Sequence, residues 1–142
     1  MSLYYADTSA VIKLLAEETH SKAFAAFYDN NADTEWVSSS LLRIELTRAV
    51  MRALPALLPD ARDLLTAFSY IAIDDDVVEA AMSEPDRGLR SLDAIHLATA
   101  RLLAPELDAL VSYDNRLIKA AAEAGLATVS PGTDNRLSSG DA

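Results

Sequence analysis

Residues 3–15 read LYYADTSAVIKLL, and the break at Asp7 is the informative point. Leu3, Tyr4, Tyr5 and Ala6 form a short apolar, β-prone run of the kind buried in a parallel sheet. Asp7, Thr8 and Ser9 then supply three residues that suit a helix N-cap, and Ala10–Leu15 continues with helical spacing. The stretch predicts strand, sharp turn and helix, with a carboxylate placed just past the strand end.

The same unit recurs along the chain. Strands are expected over 35–38, 70–73, 109–112 and 126–129, and helices over 9–17, 21–28, 41–54, 59–67, 92–103 and 115–124, with a further helix running from the Asp74-Asp75-Asp76 turn to Ser83. Ser39 or Ser40 is expected to cap the third helix and Ser91 the one that opens at Leu92, after the turn over 84–90. Strands alternating with helices predict an α/β fold: a three-layer α/β/α sandwich around a mostly parallel five-stranded sheet. At 142 residues the chain fits one domain, assigned to residues 1–130, with a C-terminal tail of loop composition over 131–142.

Composition removes several classes of chemistry. With no cysteine there is no disulfide, zinc–thiolate site, iron–sulfur cluster or thiol nucleophile. The two histidines, His20 and His96, share no metal-ligand spacing. Apolar runs fall well short of the roughly 18 residues that span a bilayer, and the N-terminus lacks a signal peptide's basic start, so a cytoplasmic location is expected. The 12 basic against 22 acidic residues give a net charge of −10, opposite to that of proteins that grip nucleic acid by its phosphates. Action on RNA or DNA would need a cation or a basic partner to offset that charge.

In a parallel sheet, ligands sit beyond the carboxyl ends of the strands at the point where strand order reverses. Asp7 and Asp114 follow strand ends, though each also suits an N-cap. Asp93 opens a helix that is apolar on nearly every side, where a carboxylate needs a partner or a cation even with help from the helix dipole. Glu45 lies at the edge of an apolar stripe, and alone it reads as half of a surface pair with Arg48. His96 reads as a packed histidine with one satisfied nitrogen, and the Asp74–Asp76 run as a cap with solvated neighbours. Together Asp7, Glu45, Asp93 and Asp114 form an all-oxygen set suited to a hard cation, one ion or two.

Four segments carry a family resemblance: YYADTSAVIKLL at 4–15, SSSLLRIELTRAV at 38–50, RSLDAIHLATA at 90–100 and LVSYDNRLIKAAAEAGL at 110–126. Their order and spacing resemble the PIN domain, and more narrowly the VapC-type ribonuclease toxins of bacterial type II toxin–antitoxin pairs. The resemblance implies a metal-dependent endoribonuclease in which Asp7, Asp93 and Asp114 bind Mg²⁺ or Mn²⁺, Glu45 acts directly or through a water, and activated water attacks an RNA phosphodiester. It further implies supporting roles for Thr8, Ser9 and Asn115, a homodimer, and a VapB-type antitoxin as partner. Arg48, Arg52, Arg87, Arg90 and Arg116 are candidate RNA-phosphate contacts as a group, although each taken singly reads as a solvated surface charge. Residues 21–28 and 57–68 are candidate dimer or antitoxin surfaces, or ordinary core.

Other readings remain distinct. A receiver domain needs an acidic pair near the first strand and a late sheet lysine, but Lys119 falls inside a helix; a haloacid-dehalogenase-type phosphatase needs an aspartate where Ser9 stands. A catalytically silent PIN-like RNA- or partner-binding module, or a PIN nuclease serving RNA processing, would carry the same fold and is separated from the toxin by metal-dependent cleavage and by a neighbouring antitoxin.

Overall fold

The structure, a computed structural model, describes residues 2–133. Five strands, β1 (Leu3–Ala6), β2 (Glu35–Ser39), β3 (Ser69–Ile71), β4 (Ala109–Val111) and β5 (Thr128–Val129), form one sheet in the order β3-β2-β1-β4-β5. Every neighbouring pair is parallel, with Tyr5 opposite Val37 on one side and Leu110 on the other. The chain builds outward from β1 to β2 and β3, then crosses to the other side of β1 for β4 and β5. The reversal therefore lies between β1 and β4, whose carboxyl ends carry Asp7 and Asp114.

Period-two alternation divides the strands between two cores. Ala6, Trp36 and Val111 face one layer with Val11, Phe24, Leu42, Leu46 and Val50, supplied by α1 (Thr8–Val11), α2 (Ser21–Asn30) and α3 (Leu41–Ala53), with α4 (Leu58–Leu65) adding Ala61 and Leu65. Tyr5, Val37 and Leu110 face the other, against Leu97 and Ala100 of α6 (Ser91–Leu103) and Leu117, Ala120 and Ala121 of α7 (Asn115–Glu123). α5 (Asp75–Met82) packs on α6 and completes that layer. Each wholly buried Phe or Leu contributes about 1.5–3 kcal/mol, so both layers hold the sheet firmly. Phe24 is fully buried in α2 and Phe27, Tyr28, Leu57, Leu58 and Leu64 pack against the same core, so much of 21–28 and 57–68 serves the interior.

Several local expectations are corrected. The helix expected over 9–17 ends at Val11 and tightens into a 3₁₀ turn at Ile12–Leu14. Further on, the Ser21 hydroxyl donates to the Ala16 carbonyl and accepts from the Glu18 N–H, occupying groups that a helix reaching residue 17 and beyond would use. α6 begins at Ser91 itself, with Arg90 in the cap position and no side-chain cap bond. At α3 the capping hydroxyl is that of Ser39, which accepts from Leu41 N–H at 3.0 Å. Asp74 caps α5 through Val77 N–H, as read from the acidic run.

The tail expected over 131–142 is only partly within view. Pro131 accepts a hydrogen bond from the Tyr113 hydroxyl. Gly132 has a φ of +90°, and a Cβ there would stand 2.5 Å from that of Ala23, so only glycine fits. Residues 134–142 lie outside the described residues.

Candidate active site

The sheet delivers one half of the site. Asp7 directly follows β1 and caps α1, and only 4% of it is exposed. Its Oδ1 accepts from the Ser9 hydroxyl at 2.8 Å and the Ala10 N–H at 3.2 Å, while Oδ2 accepts from the Ser112 hydroxyl at 2.9 Å. Ser112 in turn accepts from the Asp114 N–H at 3.0 Å, and Ser9 from the Tyr113 N–H at 2.9 Å. Two serines thus tie the end of β1 to the end of β4. Burial pushes the Asp7 carboxyl up, and His96 together with these hydrogen bonds pulls it part of the way back. Asp114 caps α7, spending Oδ1 on the N–H groups of Arg116 and Leu117.

Helices deliver the other half. Glu45 projects from α3, where its Oε1 accepts from the Thr8 hydroxyl at 2.6 Å and meets His96 Nε2 at 2.8 Å. Burial pushes the Glu45 carboxyl up, but hydrogen bonds from His96 and Thr8 outweigh it and leave the group below the ordinary range. Asp93 sits in the first turn of α6, half-buried. Its carboxyl is pushed up by burial first and then by the negative charges of Asp114 and Glu45, with His96 and Arg90 opposing. Among the described residues no hydrogen-bond donor is spent on it.

All four expected carboxylates are linked by hydrogen bonds and mutual repulsion at the carboxyl end of the sheet. They are not gathered into a closed cage: among the described residues, no three acidic or histidine side chains stand close enough together to hold a metal ion as they are. The reason is visible in the bonds, since Asp7 is turned onto serine hydroxyls, Glu45 onto Thr8 and His96, and Asp114 onto its own helix. The donor set nonetheless suits a hard divalent cation, being all carboxylate with Asp93 unspent and repelled by two neighbours.

Of the supporting residues, Thr8 and Ser9 are part of this network, whereas Asn115 is exposed at the start of α7. All five arginines are exposed. Arg90 is near enough to Asp93 to favour its charged form, and Arg116 follows the Asp114 cap. Arg48 and Arg52 share the outer face of α3 with Met51, while Arg87 faces a separate groove with Arg101, Lys119 and Glu123. Two local expectations fail. Glu45 pairs with Thr8 and His96 instead of Arg48, and His96 engages both ring nitrogens, with Nδ1 2.6 Å from the Tyr5 hydroxyl. Ser112 and Tyr5 were missed by the sequence reading. The only signal for Ser112 was a polar residue closing an apolar strand, and Tyr5 looked like core.

The sequence and fold correspond to a known class. A PIN-domain family model matches residues 4–123. Ribonuclease VapC35 of Mycobacterium tuberculosis is 42% identical over 133 residues, covering 92% of this chain and 98% of its own length. Ribonuclease VapC46 of the same organism is 34% identical over 131 residues, covering 92% and 99%. The fold is also similar to a toxin–antitoxin complex chain from Klebsiella pneumoniae (TM-score 0.66, 23% identity, covering 92% of this chain and 98% of that one). A chain of VapBC2 from Rickettsia felis, solved with a promoter DNA fragment, is similar at a TM-score of 0.63 and 14% identity, covering 89% and 97%. The chain belongs to the PIN-domain family, as a VapC-type member of it.

Proposed function

We propose that this chain is a VapC-type endoribonuclease toxin that hydrolyses RNA phosphodiester bonds at the crevice between β1 and β4. The observation that carries the reading is Asp93, a half-buried carboxylate with no donor spent on it, held against the charges of Asp114 and Glu45. Such repulsion has no structural benefit, and it is the arrangement expected where a cation is to be taken up. Relatives named as ribonucleases over nearly the whole chain support the same conclusion.

Asp7, Asp93 and Asp114 would hold Mg²⁺ or Mn²⁺, with Glu45 alongside. The ion, when bound, activates water and shields the charge that develops on the phosphate. The protein's own part is positioning. Ser9 and Ser112 fix Asp7 on the floor of the crevice, the α7 amides orient Asp114, and Thr8 with His96 keeps Glu45 ionised. Glu45 is then placed to accept a proton or to anchor a water by the scissile phosphate. Arg90 and Arg116, beside the two outer aspartates, are the best placed of the arginines to meet RNA phosphates in a chain of net charge −10. A VapB-type antitoxin is the natural partner, its basic residues complementing the acidic crevice. The assembly is read as a homodimer acting in the cytoplasm, with residues 1–130 as the nuclease domain and 131–142 as an appended tail. No helix among the described residues is long and apolar enough to cross a membrane.

The test is cleavage of total bacterial RNA by purified, antitoxin-free protein with Mg²⁺, Mn²⁺ or EDTA, beside Asp7→Asn and Asp93→Asn. Discrete products that need the metal and vanish in both variants are expected. Absence of cleavage from folded protein under either metal would sink the nuclease reading in favour of a silent binding module.

A further inference from the structure

The mechanism so far uses only one end of His96. Its ring is 2% exposed, and a buried imidazole normally has both nitrogens paired, so pairing alone says little. The identity of the partners says more. One nitrogen reaches a carboxylate of the site, and the other reaches a phenol that the sheet itself fixes.

The protons can be followed along the chain of bonds. Ser39 of β2 donates its backbone N–H to the Tyr5 oxygen at 3.2 Å. With that acceptor direction used, the phenol proton can point to His96 Nδ1, 2.6 Å away, with the two rings edge to face at 5.8 Å between centroids. A phenol is protonated at neutral pH and can donate one hydrogen bond. With Nδ1 accepting, the ring hydrogen belongs on Nε2, which points at Glu45 Oε1 from 2.8 Å. Thr8 donates to the same oxygen at 2.6 Å. Both donors fall on Oε1, and among the described residues Oε2 takes none.

We infer that Tyr5 and His96 are positioning residues for Glu45: Tyr5 fixes the Nε2–H form of the imidazole, and that N–H pins Oε1 so that Oε2 is the oxygen turned to the crevice. The inference rests on the nuclease reading for its consequence but not for its geometry. It assigns a purpose to a tyrosine and a histidine that otherwise look like core. Partners of this kind, standing one bond behind a reacting or metal-binding group, typically change activity by about 10–100-fold when removed. The relay also ties β1, β2, α3 and α6 into one rigid support for a side chain long enough to adopt several rotamers.

Two readouts test it. The first is a long-range ¹H–¹⁵N correlation spectrum of metal-free protein, which reports the histidine tautomer without any reaction. The expected pattern for His96 is a protonated Nε2 with Nδ1 as acceptor, losing that preference in Tyr5→Phe; an Nδ1–H tautomer in the wild type, or an unchanged pattern in Tyr5→Phe, overturns the inference. The second is RNA cleavage by folded Tyr5→Phe, His96→Leu and His96→Gln. Tyr5→Phe and His96→Leu should lose about 10–100-fold in kcat with KM within about twofold, and His96→Gln should recover part because its amide can still donate to Glu45. Wild-type kcat in folded His96→Leu overturns the positioning role. Wild-type protein that cleaves no RNA would instead overturn the nuclease reading, and the tautomer spectrum would still decide this one.

Discussion

Asp7 and Asp93 are the same residue type at the same end of the sheet, and the protein treats them in opposite ways. Asp7 is almost fully buried and receives three hydrogen bonds from Ser9, Ala10 and Ser112. Asp93 is half-exposed, receives none among the described residues, and faces two like charges. Burial pushes both carboxyls up, but at Asp7 its surroundings pull it back, whereas at Asp93 Asp114 and Glu45 push further. The difference teaches that Asp7 is committed to the fold as well as to the site, while Asp93 is held in reserve for something the chain itself does not supply.

The largest effects should separate the two roles. Asp7→Ala and Asp93→Ala should each lower RNA cleavage by at least about 100-fold, since both remove an oxygen donor from the site. Only Asp7→Ala should also destabilise the fold, by about 2–3 kcal/mol, because it strands the Ser9 and Ser112 hydroxyls and the Ala10 N–H. Asp93→Ala should stay within about 0.5 kcal/mol of wild type. Urea unfolding of both variants gives the answer, and equal stabilities would break the comparison.

A second effect of similar size follows from the direction of the two shifts. Both carboxyls are raised above the ordinary value of 3.8, so the metal-free folded chain binds protons more tightly than the unfolded chain. Their contribution to stability is complete below that ordinary value and is lost as pH rises through the folded pKa. Metal-free protein at neutral pH therefore carries repulsion that a cation should relieve. At about 100 times its dissociation constant, Mn²⁺ should stabilise the wild type by about 2.7 kcal/mol at pH 7.5. Thermal unfolding with Mn²⁺ or EDTA should show a smaller gain at pH 5, where protons compete, and little gain in Asp93→Asn. A gain independent of both pH and Asp93 would place the ion elsewhere.

What the chain revealed before its structure follows the same division. The strand-end aspartates were legible because an apolar run followed by Asp is a local pattern, and the parallel sheet follows from the alternation of such runs with helices. Asp93 was legible because the helix around it is apolar on nearly every side. Glu45 was ambiguous, since helical spacing puts it at the edge of a stripe and Arg48 offered a nearer partner. The partners of Ser112 and the second bond of His96 were not legible. Ser112 meets Asp7 across a sequence separation of 105 and His96 meets Tyr5 across 91, and no local periodicity encodes either meeting. The helix after β1 was overextended because residues 12–15 keep helical spacing, while Ser21, which takes the Ala16 carbonyl, lies in the next element.

The smallest effect sharpens the comparison at the hydroxyls that serve each half of the site. Ser112 is wholly buried and works at two ends, donating to Asp7 and accepting from the Asp114 N–H. Thr8 is partly exposed and donates to Glu45 alone, which keeps its bond to His96 when Thr8 is lost. Ser112→Ala should therefore cost about 1–2 kcal/mol, since it leaves a buried carboxylate oxygen and the part-buried Asp114 amide short of a partner. Thr8→Ala should cost less, about 0.5–1 kcal/mol, because water can replace the hydroxyl at Glu45. Chemical denaturation of the pair reads the ordering directly. A larger loss in Thr8→Ala would mean that the helix-borne half, not the serine-bridged half, carries the structural load of the crevice.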